Sequence, residues 1–199
     1  MQYFDKIIYW LSSGLLIPVI IAVLYFLIIA LMQLGSLYAT YINRIRYNKQ
    51  LDEQFITLDK HTINSLSSFD NIKNGMLSKA VAQLIKYPDS EAHTGKVIAD
   101  FTNDCERELD KSRTLSKTGP ILGLMGTLIP MGPALAGLAA GDIVTMSHQM
   151  QVAFNTTVMG LVIGTIGFLI LQVKQRWYQE DLNRIEFIND IIQTGYVKK

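Results

Sequence analysis

The sequence has a single cysteine, Cys105, which excludes a disulfide framework and a cysteine-rich zinc module. It has three histidines, and His61 and His93 lack the spacing of metal ligands. No glycine-rich nucleotide loop and no G-x-S-x-G elbow occurs. Excess charge of one sign is also missing. The 18 Lys and Arg residues stand against 17 Asp and Glu, which excludes a broadly basic nucleic-acid binder and an acidic disordered tail. The 199 residues allow about one domain. Nothing in this inventory supplies a catalytic constellation or a cofactor site, and the expectation is a protein that is not an enzyme and carries no cofactor and no metal.

The most informative absence is local. Ile7 to Asn43 contains no charged residue, and Thr118 to Val173 contains one, Asp142. Those two segments cover 93 residues, and the other 106 hold 34 of the 35 charges. A water-soluble globule has no reason to segregate charge in this way, whereas a chain shared between a bilayer and water does. A membrane-crossing helix needs about 20 mostly apolar residues to span roughly 30 Å of hydrocarbon. Leu15 to Leu34 meets that length, and the second charge-poor block suits two spans joined by a turn.

The predicted architecture is an all-α integral membrane protein with three transmembrane helices and long helical cytoplasmic extensions. Residues 1–14 form an external segment, 15–40 the first span and 41–117 a helical cytoplasmic domain. Residues 118–140 form the second span, 141–151 an external loop, 152–173 the third span and 174–199 a cytoplasmic helix. The first span reads as a retained anchor, because its apolar core is too long for a signal peptide and no small-residue cleavage site follows. Orientation comes from basic residues beside the spans. Arg44, Arg46 and Lys49 follow the first, Arg107, Lys111, Arg113 and Lys117 precede the second, and Lys174, Arg176 and Arg184 follow the third. Only Lys6 lies on the opposite side. The N-terminus is thus expected outside and the C-terminus inside, with Tyr9 and Trp10 at the outer interface and Tyr38, Tyr41, Trp177 and Tyr178 at the inner one.

Between the first two spans, Leu51 to Phe69 continues the first helix inward. Met76, Leu77, Val81, Leu84 and Ile85 form an apolar face ended by Pro88, and Asp89 or Ser90 caps the next helix. Ile98, Phe101, Cys105 and Leu109 then recur at helical spacing, as do Tyr178, Leu182, Ile185, Ile188 and Ile192 after the third span. Cys105, set among stripe residues, is expected to pack.

The spans themselves are rich in small residues. Gly119, Gly123, Gly126, Pro130, Pro133 and Gly137 recur at spacings of four and three, which keeps them on one helical stripe. Ala153, Thr157, Gly160, Gly164 and Gly167 do the same in the third span. In lipid, such stripes let two backbones approach closely. The prolines at 120, 130 and 133 require neighbours that re-satisfy the freed carbonyls, which places the second span inside a bundle. The polar residues among these stripes are Thr127 in the second span and Asn155, Thr156 and Thr157 in the third. Intramembrane polar groups default to a functional reading, and none here is charged.

Gly119-Pro-Ile-Leu-Gly-Leu-Met-Gly-Thr127 resembles the second-span motif of the MotA/TolQ/ExbB proton-channel family, and Ala153-Phe-Asn-Thr-Thr157-Val-Met-Gly160 resembles the third-span motif of its ExbB and TolQ branch. The resemblance implies a homopentameric ring in the inner membrane, formed by copies of this chain. In the ring's pore would sit a single-span ExbD/TolR-like partner, as a dimer, whose aspartate carries the proton. It also implies an ion pathway beside Thr127 and Thr157, with Thr156 and Asn155 nearby, and a motor driven by ion flow. The branch carries a glutamate five positions before the threonine matched by Thr157, and here that position is Val152. The contrasting reading is a non-conducting membrane scaffold with a cytoplasmic docking domain. A small-solute transporter fits less well, since the spans show no inverted repeat and no charged midplane site.

Overall fold

The computed structural model describes residues 14–56, 76–86 and 91–196. Among them there are four α-helices: α1 (Leu16–Ile56), α2 (Met76–Lys86), α3 (Glu91–Ala139) and α4 (Ile143–Tyr196). Three are long and apolar enough to cross a membrane, through Leu16–Arg44, Ala92–Ala139 and Ile143–Asp190. At about 1.5 Å per residue, α3 and α4 each have a contour length more than twice the roughly 30 Å of a hydrocarbon core. Without a break, α3 runs from a charge-rich segment into an apolar one and α4 from an apolar segment into a charge-rich one. The continuation of α1 past its apolar stretch reaches Ile56, and the rest of the expected helix to Phe69 lies outside the described residues. So do the expected stop at Pro88, the caps at Asp89 and Ser90, and the segment 1–13 with Tyr9 and Trp10.

The chain divides into two compact units, one of residues 1–37 and 111–171 and one of residues 38–110 and 172–199. In the first, Val19, Val23 and Ala30 of α1 pack on Leu115 of α3 and Ile163 of α4, with Phe26, Leu122, Ile129 and Ile166 around them. Ser112, fully buried, donates its hydroxyl to Gln33 Oε1 at 3.2 Å. Away from this packing, the exposed surfaces of the helices are mostly apolar, as a lipid-facing surface requires.

The connection between α3 and α4 is much shorter than the expected loop over 141–151, because helix resumes at Ile143. Gly141 takes a left-handed φ of 74°. Its N–H donates to Leu138 O at 3.1 Å, and the N–H of Asp142 donates to Gly137 O at 2.8 Å. This is a Schellman C-cap. Asp142 then caps the next helix, accepting from Thr145 N at 3.0 Å and from the Thr145 hydroxyl. Those two bonds hold the carboxyl below its usual range. The depressed value means that the cap is intact at neutral pH and is lost only as acid protonates it.

The second unit has a separate core. Ala80, Val81 and Leu84 of α2, Val97, Phe101 and Cys105 of α3, and Ile185 and Ile188 of α4 form it, with Met76, Leu77, Ile98, Tyr178 and Leu182 packed against them. Burial and three nearby carboxylates, Asp181 foremost, push the Cys105 thiol up to about 11, so it stays neutral and packs.

Polar contacts tie α1 to α4 in this unit. Arg44 donates to both carboxylate oxygens of Asp181 and to Trp177 O at 3.0 Å. Its guanidinium lies 5.3 Å from the centroid of the Trp177 ring, which stacks on Tyr41. Asp181 is buried and Arg44 nearly so. Lys174 pairs with Glu108 at 3.1 Å.

Removing one partner of a buried ion pair is expensive, because the other charge is left without compensation. Asp181→Ala is therefore expected to destabilise the detergent-solubilised protein by about 3 kcal/mol in denaturant unfolding. Arg176→Ala, which removes an exposed pair to Glu180, is expected to cost less than about 1 kcal/mol.

Candidate functional site

The candidate site is built on the antiparallel seam of α3 and α4. The two small-residue stripes meet there at backbone distance. A Cβ added to Gly160 would lie 2.6 Å from Gly119 O and 2.6 Å from Gly123 Cα. One added to Gly119 would lie 2.6 Å from Gly164 N, and one at Gly164 would strike the Pro120 ring at 2.7 Å. Gly126 faces the Thr156 side chain, Gly167 faces Leu115 and Ser116, and Gly137 faces the first turn of α4. Ala153 and Pro130 are buried in the same seam, and Pro133 is half-buried beside it.

The seam also accommodates the prolines. Pro130 has no N–H, so the carbonyl of Gly126 loses its partner one turn along α3. The Thr156 hydroxyl lies 2.9 Å from that carbonyl, and also 3.0 Å from Val152 O and 3.0 Å from Ala153 O on its own helix. A threonine on the neighbouring helix thus re-satisfies a proline-freed acceptor in a place that water does not reach. Thr156 is 5% exposed. Its hydroxyl is engaged by carbonyls inside the seam, not directed to an open surface.

The other polar residues sit differently. Thr127 is half-buried and donates to Leu124 O at 2.7 Å. Thr157 is half-buried and donates to Ala153 O at 3.0 Å, with a long 3.5 Å approach to Gly123 O. Each hydroxyl gives its proton to backbone and keeps oxygen lone pairs. Asn155 is exposed on α4, as is Gln151, while Val152 is half-buried. The seam therefore brings Thr157 to the backbone of Gly123, one turn before Thr127 on α3, and leaves Asn155 on an outer surface of the pair.

Chemically, this region can offer dipoles and oxygen acceptors. Asp142 is the single charge between 118 and 173, and it is engaged as a helix cap in the turn. Among the described residues, no group of three or more His, Cys, Asp or Glu side chains is placed to hold a metal ion. Sequence reasoning did not anticipate the pairing of Pro130 with Thr156. The signal available was a proline in one small-residue stripe and a threonine beside the other, and their register depends on the length of the turn.

Comparison with known proteins bears on the same residues. The pattern describing the MotA/TolQ/ExbB proton channel family matches residues 68–186. A candidate biopolymer transport protein from Methanothermobacter thermautotrophicus, described as an ExbB homolog, is 29% identical over 91 residues. That match covers 45% of this chain and 33% of the relative, so the chain spans about a third of the relative's length. No solved structure matches the chain.

The seam geometry separates positions that share one residue type. Gly160→Ala is expected to disrupt α3–α4 packing and lower the melting temperature in detergent, whereas Gly132→Ala, with nothing within 4 Å of its added carbon, is expected to leave it unchanged. Thr156→Val leaves the Gly126 carbonyl unpaired and is expected to destabilise by about 1–3 kcal/mol, and Thr156→Ser is expected to recover most of that.

Proposed function

The chain belongs to the MotA/TolQ/ExbB proton channel family, and from that premise we propose that it is the ring-forming, channel-building subunit of a membrane motor driven by a proton or sodium gradient. Five copies in this proposal surround a pore that holds the helices of a single-span ExbD/TolR-like partner. An acidic group on that partner carries the ion. Thr127, Thr157 and Asn155 of the ring line its path with uncharged oxygen acceptors, while Thr156 keeps the Pro130 turn of α3 satisfied.

The observation that carries this reading is the combination of two facts. The family match runs through the α3–α4 seam, and the seam offers polar groups without a titrating one. A ring of this kind needs smooth, closely packed helices and modest dipoles, because proton uptake and release occur on the partner. One elementary charge crossing 100 mV releases about 2.3 kcal/mol, and moving ions through the ring against its partner converts that energy to work outside the membrane. In this arrangement the N-terminus is outside, and the segment between the first two spans and the C-terminus are cytoplasmic.

Thr157→Ala and Thr127→Val are expected to abolish energy-dependent function while the complex remains assembled, measured by activity in cells and by native mass spectrometry of the extracted complex. Full activity in both variants overturns the ion-path assignment, and a stable monomer overturns the ring.

A further inference from the structure

The exposed surface of α4 carries polar side chains in a single line. Residues 151, 155, 158, 162, 165 and 169 recur at spacings of four and three, all are exposed, and so they form one straight stripe. Gln151, Asn155 and Thr165 lie on it. The other exposed side chains of α4 between 151 and 171 are apolar, including Phe154, Leu161 and Phe168 on a flanking stripe. The exposed side chains of α3 from Pro120 to Ala139 are all apolar, and those of α1 from Ile17 to Leu34 are apolar apart from Tyr25. Polar groups scattered over several faces would each meet hydrocarbon. Collected on one line, they can be served by a single wet surface.

Thr165 extends this line well beyond the seam residues. It lies eight residues past Thr157, about 12 Å along the helix, and Gln151 to Thr165 covers about 21 Å of helix, against about 30 Å for the thickness of a hydrocarbon core. Its hydroxyl donates to Leu161 O at 2.8 Å. The oxygen lone pairs of an exposed side chain are left as acceptors, a suitable lining for water and for a hydrated cation.

We propose that the Gln151–Asn155–Thr165 stripe lines a water-filled leg of the ion path, with Thr165 as its polar station beyond Thr157. This rests on the ion-conducting reading above and adds the route by which the ion leaves the level of the seam. Val158 and Val162 lie between the polar groups on the same exposed line and share its access to water.

The test uses the full chain in its native complex and membrane, in a Cys105→Ala background, with single substitutions Val158→Cys, Val162→Cys and Thr165→Cys on the stripe and Leu161→Cys and Phe168→Cys off it. The probe is the charged reagent 2-(trimethylammonium)ethyl methanethiosulfonate. Stripe cysteines are expected to react at least tenfold faster than the flanking ones. Thr165→Val is expected to lower energy-dependent function at least tenfold and Thr165→Ser to retain it. Stripe cysteines that react no faster than flanking ones, or a fully active Thr165→Val, overturn the proposal. Loss of function in Thr157→Ala alongside either of those results leaves the motor reading standing and removes only this leg. A reactive stripe with full activity in both Thr157→Ala and Thr127→Val supports the wet stripe and removes the seam hydroxyls from the path.

Discussion

Two helix backbones at touching distance determine most of the first unit. In lipid, burial of apolar surface gives helices no reason to associate, so contact must come from packing and from polar groups that would otherwise be unsatisfied. The α3–α4 seam uses both. Gly119, Gly123, Gly160 and Gly164 remove every side-chain atom from the line of closest approach, and a single methyl group at Gly160 would overlap the opposite backbone. Because the seam has no slack, the residues flanking it have little choice of position. Thr157 is held against the backbone around Gly123, Thr156 points into α3, and Asn155 is turned out.

Pro130 of α3 follows from the same contact. A proline inside a helix exposes a carbonyl that lipid cannot satisfy, so it survives where a neighbour can supply a donor. Pro130 survives because Thr156 is across the seam at the right height. This changes the sense of three consecutive polar residues. Asn155, Thr156 and Thr157 look alike in the sequence, yet one is exposed, one repairs a helix and one is half-buried at its edge. None of them titrates near neutral pH, which fits a wall that guides an ion carried by another chain.

The second unit solves a different problem. Its apolar core is conventional, with α2 laid against α3 and α4. Its specificity comes from Arg44, whose guanidinium is shared between the Asp181 carboxylate, the Trp177 carbonyl and the Trp177 ring. A planar fork suits this set of partners better than an ammonium does. A buried pair of this kind adds little net stability over apolar packing, but separating its two charges is costly, which penalises arrangements of α1 and α4 that break it.

Much of this was legible in the chain alone. The segregation of charge showed three membrane-crossing helices, and helical spacing identified Val81, Leu84, Phe101, Cys105, Ile185 and Ile188 as core, since periodicity depends on one helix at a time. The small-residue stripes were legible for the same reason. The length of the turn was not, because Asp142 serves as C-cap neighbour and N-cap at once, and the polar composition of 141–151 points to a loop that runs on to Gln151. Arg44, Tyr41 and Trp177 were legible as interfacial residues and not as one cluster, because their contacts join positions more than a hundred residues apart. The sequence by itself determined which helices exist, which faces are small and where charge is forbidden. Tertiary structure alone decided which threonine meets which carbonyl, because that depends on the register of two antiparallel helices, and the register is set by a three-residue turn and by the depth to which glycine lets the backbones close.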